Sequence, residues 1–192
     1  MVQLPTISES STLDELVECP FDDYELIDFG NGRKLERWGE YLVECPDRLA
    51  RGEPAGKSWS ADLIYVDDIG TRNHWEPTRS GLSREWTAMV GNLSVLCRLD
   101  ERGRVGLRGR EILCAEWVRQ RIEGCFDIED IRVLNLFAGN GYVTAQAVQA
   151  GASVLHVDSS VAMLELAREQ AGEQQVEYAH ANVMDFVEDL LR

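Results

Sequence analysis

The residues best suited to chemistry lie close together in the last third of the chain. Gly139 and Gly141 stand in the run Ala138-Gly139-Asn140-Gly141, directly after the apolar stretch Ile131–Phe137. Asp158 follows nineteen positions after Gly139. Glycine lets a backbone turn sharply and approach a ligand closely. A helix that begins just after such a turn points its first N–H groups back at that ligand. An acid at the end of the next strand can accept both hydroxyls of a ribose, and the separation is close to the ~20 residues of nucleotide-binding βαβ units. The chemistry implied is nucleotide binding. Two structural readings compete with it: a glycine turn without a ligand, and Asp158 as the N-cap of the next helix, a role that Ser159 or Ser160 could also fill.

These residues need a scaffold, and the flanking patterns describe one. Ile131–Phe137 reads as a strand, Tyr142–Ala150 as a helix ended by Gly151, and Ala152–Val157 as a second strand. Val161–Ala171 has helical spacing, Val176–His180 is a third strand and Val183–Leu191 a third helix. Alternation of this kind builds a parallel, doubly wound sheet. The residues Glu111–Glu123 repeat their apolar side chains at helical intervals up to Gly124, which predicts a further helix packed on that sheet. A dinucleotide fingerprint asks for a small residue at the position of Thr144, which counts against a nicotinamide cofactor.

Ahead of this unit, residues 24–107 read as a small β-rich subdomain. Strand-like runs flank Gly30-Asn31-Gly32, Tyr41–Glu44 follows the turn at Gly39, and Pro46 closes that strand. Ala61–Val66 is a strand, 67–83 a long polar loop, and Trp86–Val90 and Leu93–Leu99 pair around Gly91-Asn92. Trp38, Trp59, Trp75 and Trp86 are expected in the core or at its rim. Residues 1–23 form an acidic leader: the first 32 positions hold eight acids and no Lys or Arg.

Net charge is −15 over 192 residues, which disfavours non-specific nucleic-acid binding by the molecule as a whole. The bases are 17 Arg and two Lys, and Arg98, Arg102, Arg104, Arg108 and Arg110 cluster into one basic strip that could face the phosphates of RNA. Five cysteines with no CxxC spacing argue against a zinc ribbon or a disulfide scaffold and for free thiols in a cytoplasmic protein. No apolar run approaches the ~18 residues of a membrane span.

The run VLNLFAGNGYVTAQAVQAGA resembles motif I of class I S-adenosylmethionine (SAM) dependent methyltransferases. The segment Tyr24–Tyr41, which contains Asp28-Phe29-Gly30-Asn31-Gly32-Arg33-Lys34-Leu35-Glu36-Arg37-Trp38-Gly39, is similar to the N-terminal signature of the bacterial large-subunit rRNA cytosine-C5 methyltransferases. Val157-Asp158-Ser159-Ser160 and Ala181–Phe186 resemble two later motifs of that family.

The resemblance implies S-adenosyl-L-methionine as cofactor, with Asn135, Phe137, Ala138, Gly139, Asn140 and Gly141 around its methionine part. It places Asp158 and Ser159 at the ribose and Asn182 at the adenine edge. The expected fold is α/β: the N-terminal part of a doubly wound, Rossmann-like methyltransferase sheet behind the β-rich subdomain, with the SAM-binding part over 108–192. The family's Asp-Pro-Pro motif has no counterpart here, since all five prolines precede residue 78, and none of the cysteines matches the family's nucleophile. The resemblance therefore implies truncation after the third strand–helix unit and an open sheet edge suited to a protein partner or self-association. Three functions compete: methyl transfer, possible for RNA; a SAM-binding regulatory module without turnover; and a nicotinamide oxidoreductase.

Overall fold

The computed structural model describes residues 23–56, 58–67, 72–125 and 131–192. The proposed leader lies outside them except for Asp23.

Chemistry at the turns shapes the first sheet. β1 (Tyr24–Gly30) and β2 (Arg33–Trp38) are joined by Asn31-Gly32, and both residues have positive φ, 52° and 77°. That pair forms the type I′ turn whose twist suits a hairpin. β3 (Tyr41–Pro46) returns antiparallel to β2 after Gly39 (φ 62°), and β4 (Leu63–Val66) lies parallel to β3. β5 (His74–Pro77) completes an order β1-β2-β3-β4-β5. This last strand falls within the stretch 67–83 expected to be a loop. Four residues ending in proline carry little strand signal. Pairing with β4 and burial of Trp75 against the Tyr65 ring, 5.2 Å between centroids, hold it there as an edge strand, where proline is tolerated.

β6 (Glu85–Val90) and β7 (Leu93–Arg98) form a separate antiparallel hairpin. Its alternation buries Ala88, Val90, Val95 and Cys97 on one face. Trp38, Val43, Val90, Val95 and Cys97 sit at the centre of the main core, each worth about 1.5–3 kcal/mol in burial for the larger side chains. Trp86 lies at the rim and donates its indole N–H to the Trp38 carbonyl at 3.0 Å, while Trp59 donates to Asp28 at 2.8 Å.

Helix α1 (Gly109–Glu123) starts at Arg108, whose backbone N–H donates to the Glu111 carboxylate at 3.2 Å. Arg119 braces it from outside, reaching Glu116 one turn back and Glu123 one turn on. The chain then forms β8 (Arg132–Leu136), α2 (Tyr142–Gln149), β9 (Ser153–Asp158), α3 (Val161–Ala171), β10 (Val176–His180) and α4 (Val183–Leu190). The strands are parallel in the order β10-β9-β8. This is the expected strand–helix alternation, with each element within a few residues of its sequence position.

The β-rich unit and the parallel sheet share one core: Ile112 and Ala115 of α1 and Tyr142 and Ala145 of α2 belong to the same buried cluster as Trp38 and Val95. Polar bonds join the same surfaces. Tyr142 donates to the Val90 carbonyl at 3.1 Å, Gln146 and Gln149 engage Asn92, and Gln170 spans the Ser94 carbonyl and the Leu96 N–H. Cys45, Cys97, Cys114 and Cys125 are free thiols, and burial pushes Cys45 and Cys97 up to about 12. Among the described residues, no helix is long and apolar enough to cross a membrane.

Candidate functional site at the strand ends

The loops after β8, β9 and β10 meet at the carboxyl ends of the three strands, the place where open α/β sheets bind ligands. The loop after β8 is the most contorted. Phe137 has φ 55°, a conformation that costs a non-glycine residue roughly 1–3 kcal/mol, and the residue is 70% exposed. Such strain in an exposed aromatic residue is typical of a ligand-binding loop. Ala138 is buried and donates its N–H to the Val157 carbonyl at 3.2 Å, which ties the loop to β9.

The two glycines have different tasks. A Cβ on Gly139 would meet nothing nearer than the Phe137 carbonyl oxygen at 4.0 Å, so this glycine faces open space. A Cβ on Gly141 would lie 2.7 Å from the Ala167 Cα and 2.8 Å from its Cβ. Gly141 therefore lets α2 and α3 pack closely. Asn140 is buried, and its Oδ1 accepts the Tyr142 N–H at 3.2 Å, capping the first turn of α2.

Asp158 ends β9 and spans two loops. Its Oδ2 accepts the Gly139 N–H at 2.9 Å and its Oδ1 accepts the Ser160 N–H at 2.9 Å. A carboxylate has about four acceptor positions, so two remain for a diol. The helix N-cap is Ser160, whose hydroxyl accepts from Met163 at 3.4 Å. Ser159 contributes its carbonyl to a hydrogen bond with His180 at 3.1 Å. Asn182 caps α4 through Oδ1, which accepts from Met184 and Asp185 at 2.9 and 3.4 Å, and the Ala181 N–H reaches the Asp158 carbonyl at 3.2 Å. Residues 137–141, 158–160 and 181–182 thus converge.

Asn135 lies one layer below. Its Nδ2 donates to the Thr144 hydroxyl at 3.0 Å, and that hydroxyl shares a hydrogen bond with His156 Nδ1 at 2.9 Å. Thr144 and His156 are both fully buried, and His156 Nε2 has no partner among the described residues. Burial drives the imidazole down to about 4, so the ring is neutral at physiological pH. Sequence reading missed this relay. The one available signal was the pleat: His156 shares the inner face of β9 with Val154.

The arginine strip separates into different environments. Arg98 pairs with Glu85 at 2.5 Å and Glu169 at 3.6 Å, and Arg104 pairs with Asp100 at 2.5 Å. Arg108 lies 3.8 Å from Glu111. Arg102 and Arg110 have no side-chain partner among the described residues.

Residues 134–189 match the family described as methyltransferase domain. No curated protein matches the chain. Among solved structures, the SAM dependent methyltransferase from Agrobacterium tumefaciens is 30% identical, with a TM-score of 0.77 over 88% of this chain and 56% of that one. A putative SAM-dependent methyltransferase from Streptococcus mutans is 12% identical, with a TM-score of 0.63 over 93% of this chain and 51% of that one. SMU.776, a putative methyltransferase complexed with SAH, gives 12% and 0.59 over 84% and 44%. The chain spans about half the length of these structures. Parallel strands, glycine loop and terminal acid, together with these likenesses, show that residues 131–192 have the Rossmann-like architecture of the class I SAM-dependent methyltransferases.

Proposed function

We propose that the chain binds S-adenosylmethionine at the strand ends and serves methyl transfer, with RNA as the acceptor. The observation that carries the cofactor assignment is the open space over Gly139 beside an Asp158 carboxylate already fixed by two backbone N–H groups. Asp158 would accept the ribose hydroxyls without having to be ordered first. Asn182 has committed its oxygen to the helix cap, which leaves its Nδ2 as a donor suited to an adenine ring nitrogen. Phe137 would flank the ligand with its exposed ring. The cofactor, when bound, supplies an electrophilic methyl group on a sulfonium; the protein's contribution is to bind and orient it. Support for RNA comes from the arginine-rich strip and from the N-terminal signature. A cytoplasmic location goes with that acceptor.

Calorimetric titration tests the site. SAM is expected to bind and NADH to fail, since Thr144 fills the position where a dinucleotide fold needs a small residue. Asp158→Asn is expected to weaken SAM about 10–100-fold, the worth of a charged hydrogen-bond acceptor. Tighter binding of NADH than SAM would overturn the assignment. Transfer of tritiated methyl groups to bulk RNA or protein then tests the reaction.

A second reading, a SAM-binding module completed by another polypeptide, is favoured by the far side of the sheet. Among the described residues β8 pairs only with β9, and a cleft of about 750 Å³ runs over Val133, Leu134, Leu155 and Val176. An unpaired strand edge beside an apolar face suits a further strand. This reading predicts SAM binding without turnover by the chain alone.

A further inference from the structure

Three clefts on the β-rich unit lie side by side. The first, about 230 Å³, lies between the β2–β3 hairpin and the segment 103–110. Pro46 and Arg48 belong both to it and to a second cleft of about 380 Å³ beside Tyr65. Asn73 and Glu101 in turn belong to that second cleft and to a third of about 610 Å³ at β5. These shared walls set the three clefts side by side as one grooved surface.

Its charge is opposite to that of the molecule. Eight basic and four acidic side chains line it, a surplus of four positive charges in a chain of net −15. Several of these charges are internally cancelled. Lys34 is 2.8 Å from the buried Glu36, which also accepts from Tyr24 at 2.9 Å and Trp38 at 3.3 Å. Arg104 is held by Asp100, and Asp67 by Arg33 at 3.0 Å. Five guanidinium groups remain: Arg48, Arg72, Arg84, Arg102 and Arg110 make no side-chain hydrogen bond or ion pair with the described residues.

The distribution of these five indicates the ligand. A pocket for one small anion brings its donors together at a point. Here they are strung along three joined clefts. The planar guanidinium fork matches a phosphate with two parallel hydrogen bonds. Repeated forks along a groove suit repeated phosphates. Of the rings at the groove, Tyr65 and Trp75 are buried and donate to the Glu101 and Asp100 carbonyls, so they offer no face for base stacking, and the His74 imidazole is the exposed one. Recognition would therefore act through the backbone and be sequence-tolerant.

We infer that this groove is a docking track for the phosphodiester backbone of a nucleic acid strand, with Arg48, Arg72, Arg84, Arg102 and Arg110 as its phosphate contacts. It deepens the RNA reading above and does not depend on the cofactor site. It removes the paired Arg98, Arg104 and Arg108 from the phosphate contacts and adds Arg48, Arg72 and Arg84, which precede the strip in sequence.

The test is fluorescence anisotropy with a short labelled single-stranded RNA, and a DNA strand of the same sequence, titrated with the purified chain. Five phosphate contacts predict a log–log salt slope of about −3.5, so affinity falls about 100-fold between roughly 50 and 200 mM salt. Replacing both Arg48 and Arg110 by Ala is expected to bring the slope to about −2, with thermal melting and SAM affinity unchanged. Arg132→Ala with Arg192→Ala, which line no part of the groove, is expected to leave the slope at the parent value. Equal binding of RNA and DNA supports a track that reads phosphates alone; tighter RNA binding supports a track that also reads the 2′-hydroxyl. Absence of binding at about 50 mM salt, or an unchanged slope in the Arg48/Arg110 variant, overturns the inference. RNA binding without SAM binding would keep the groove and refute the cofactor assignment.

Discussion

Thr144→Val probes the layer beneath the site. The change keeps the side-chain shape and removes one hydroxyl. Asn135 Nδ2 and His156 Nδ1 then lose their shared partner. His156 is fully buried and its Nε2 is already unpartnered, so neither ring nitrogen would have a hydrogen bond. An orphaned buried polar group costs about 1–3 kcal/mol; Asn135 is half-buried and takes the lower end. The total is about 2–4 kcal/mol. In a domain of this size each kcal/mol moves the melting temperature by about 2–4 °C, so a drop of about 4–16 °C is expected by differential scanning calorimetry. Thr144→Ser keeps the hydroxyl and should lose much less. Combining Thr144→Val with His156→Leu replaces both partners by apolar groups and should recover a large part of the loss. A single variant melting within about 2 °C of the parent, or a double variant whose losses simply add, would refute the relay.

The same histidine predicts a pH dependence. Its folded value, about 4, lies below the ordinary 6.5, so the unfolded chain binds more protons between the two. Stability should therefore fall as pH drops from 6.5 to 4, and His156→Leu should flatten that part of the melting profile. Gly141→Ala places a methyl group 2.7 Å from the Ala167 backbone at φ 85°. The left-handed conformation alone costs about 1–2 kcal/mol, and the clash should bring the loss above about 3 kcal/mol in urea unfolding. Gly139→Ala carries the same backbone cost at φ 61° without the clash, so it should melt higher than Gly141→Ala while binding SAM more weakly.

The parallel sheet was legible because several independent signals coincide in 131–192: apolar runs, a glycine turn, an acid at a fixed distance and helices of two to three turns. β5 was not, because four residues ending in proline carry no periodicity, and its strand character comes from β4 and Tyr65 across the sheet. The paired glycines looked equivalent in sequence. Only the approach of α3 separates the one facing open space from the one against Ala167. Asn182 shows a similar limit: a resemblance marks it as a ligand contact, while its oxygen is spent on the α4 cap. The basic strip was partly legible as adjacent arginines, but Arg48, Arg72 and Arg84 join it only through the folding of β3 to β6.

The β6–β7 hairpin bonded to α2 and α3 also sets a schedule for synthesis. Its partners lie far along the chain: Val90 waits for Tyr142, 52 positions on, and Ser94 for Gln170, 76 positions on. At roughly 5–20 residues per second a ribosome needs about 3–15 s to supply them. Through that interval Val90 and Val95 have no α2 to close over them. Long-range closure of this kind is slow and open to aggregation, so the hairpin is where a nascent chain would most need a chaperone, and slower translation between residues 95 and 142 would lengthen its exposure.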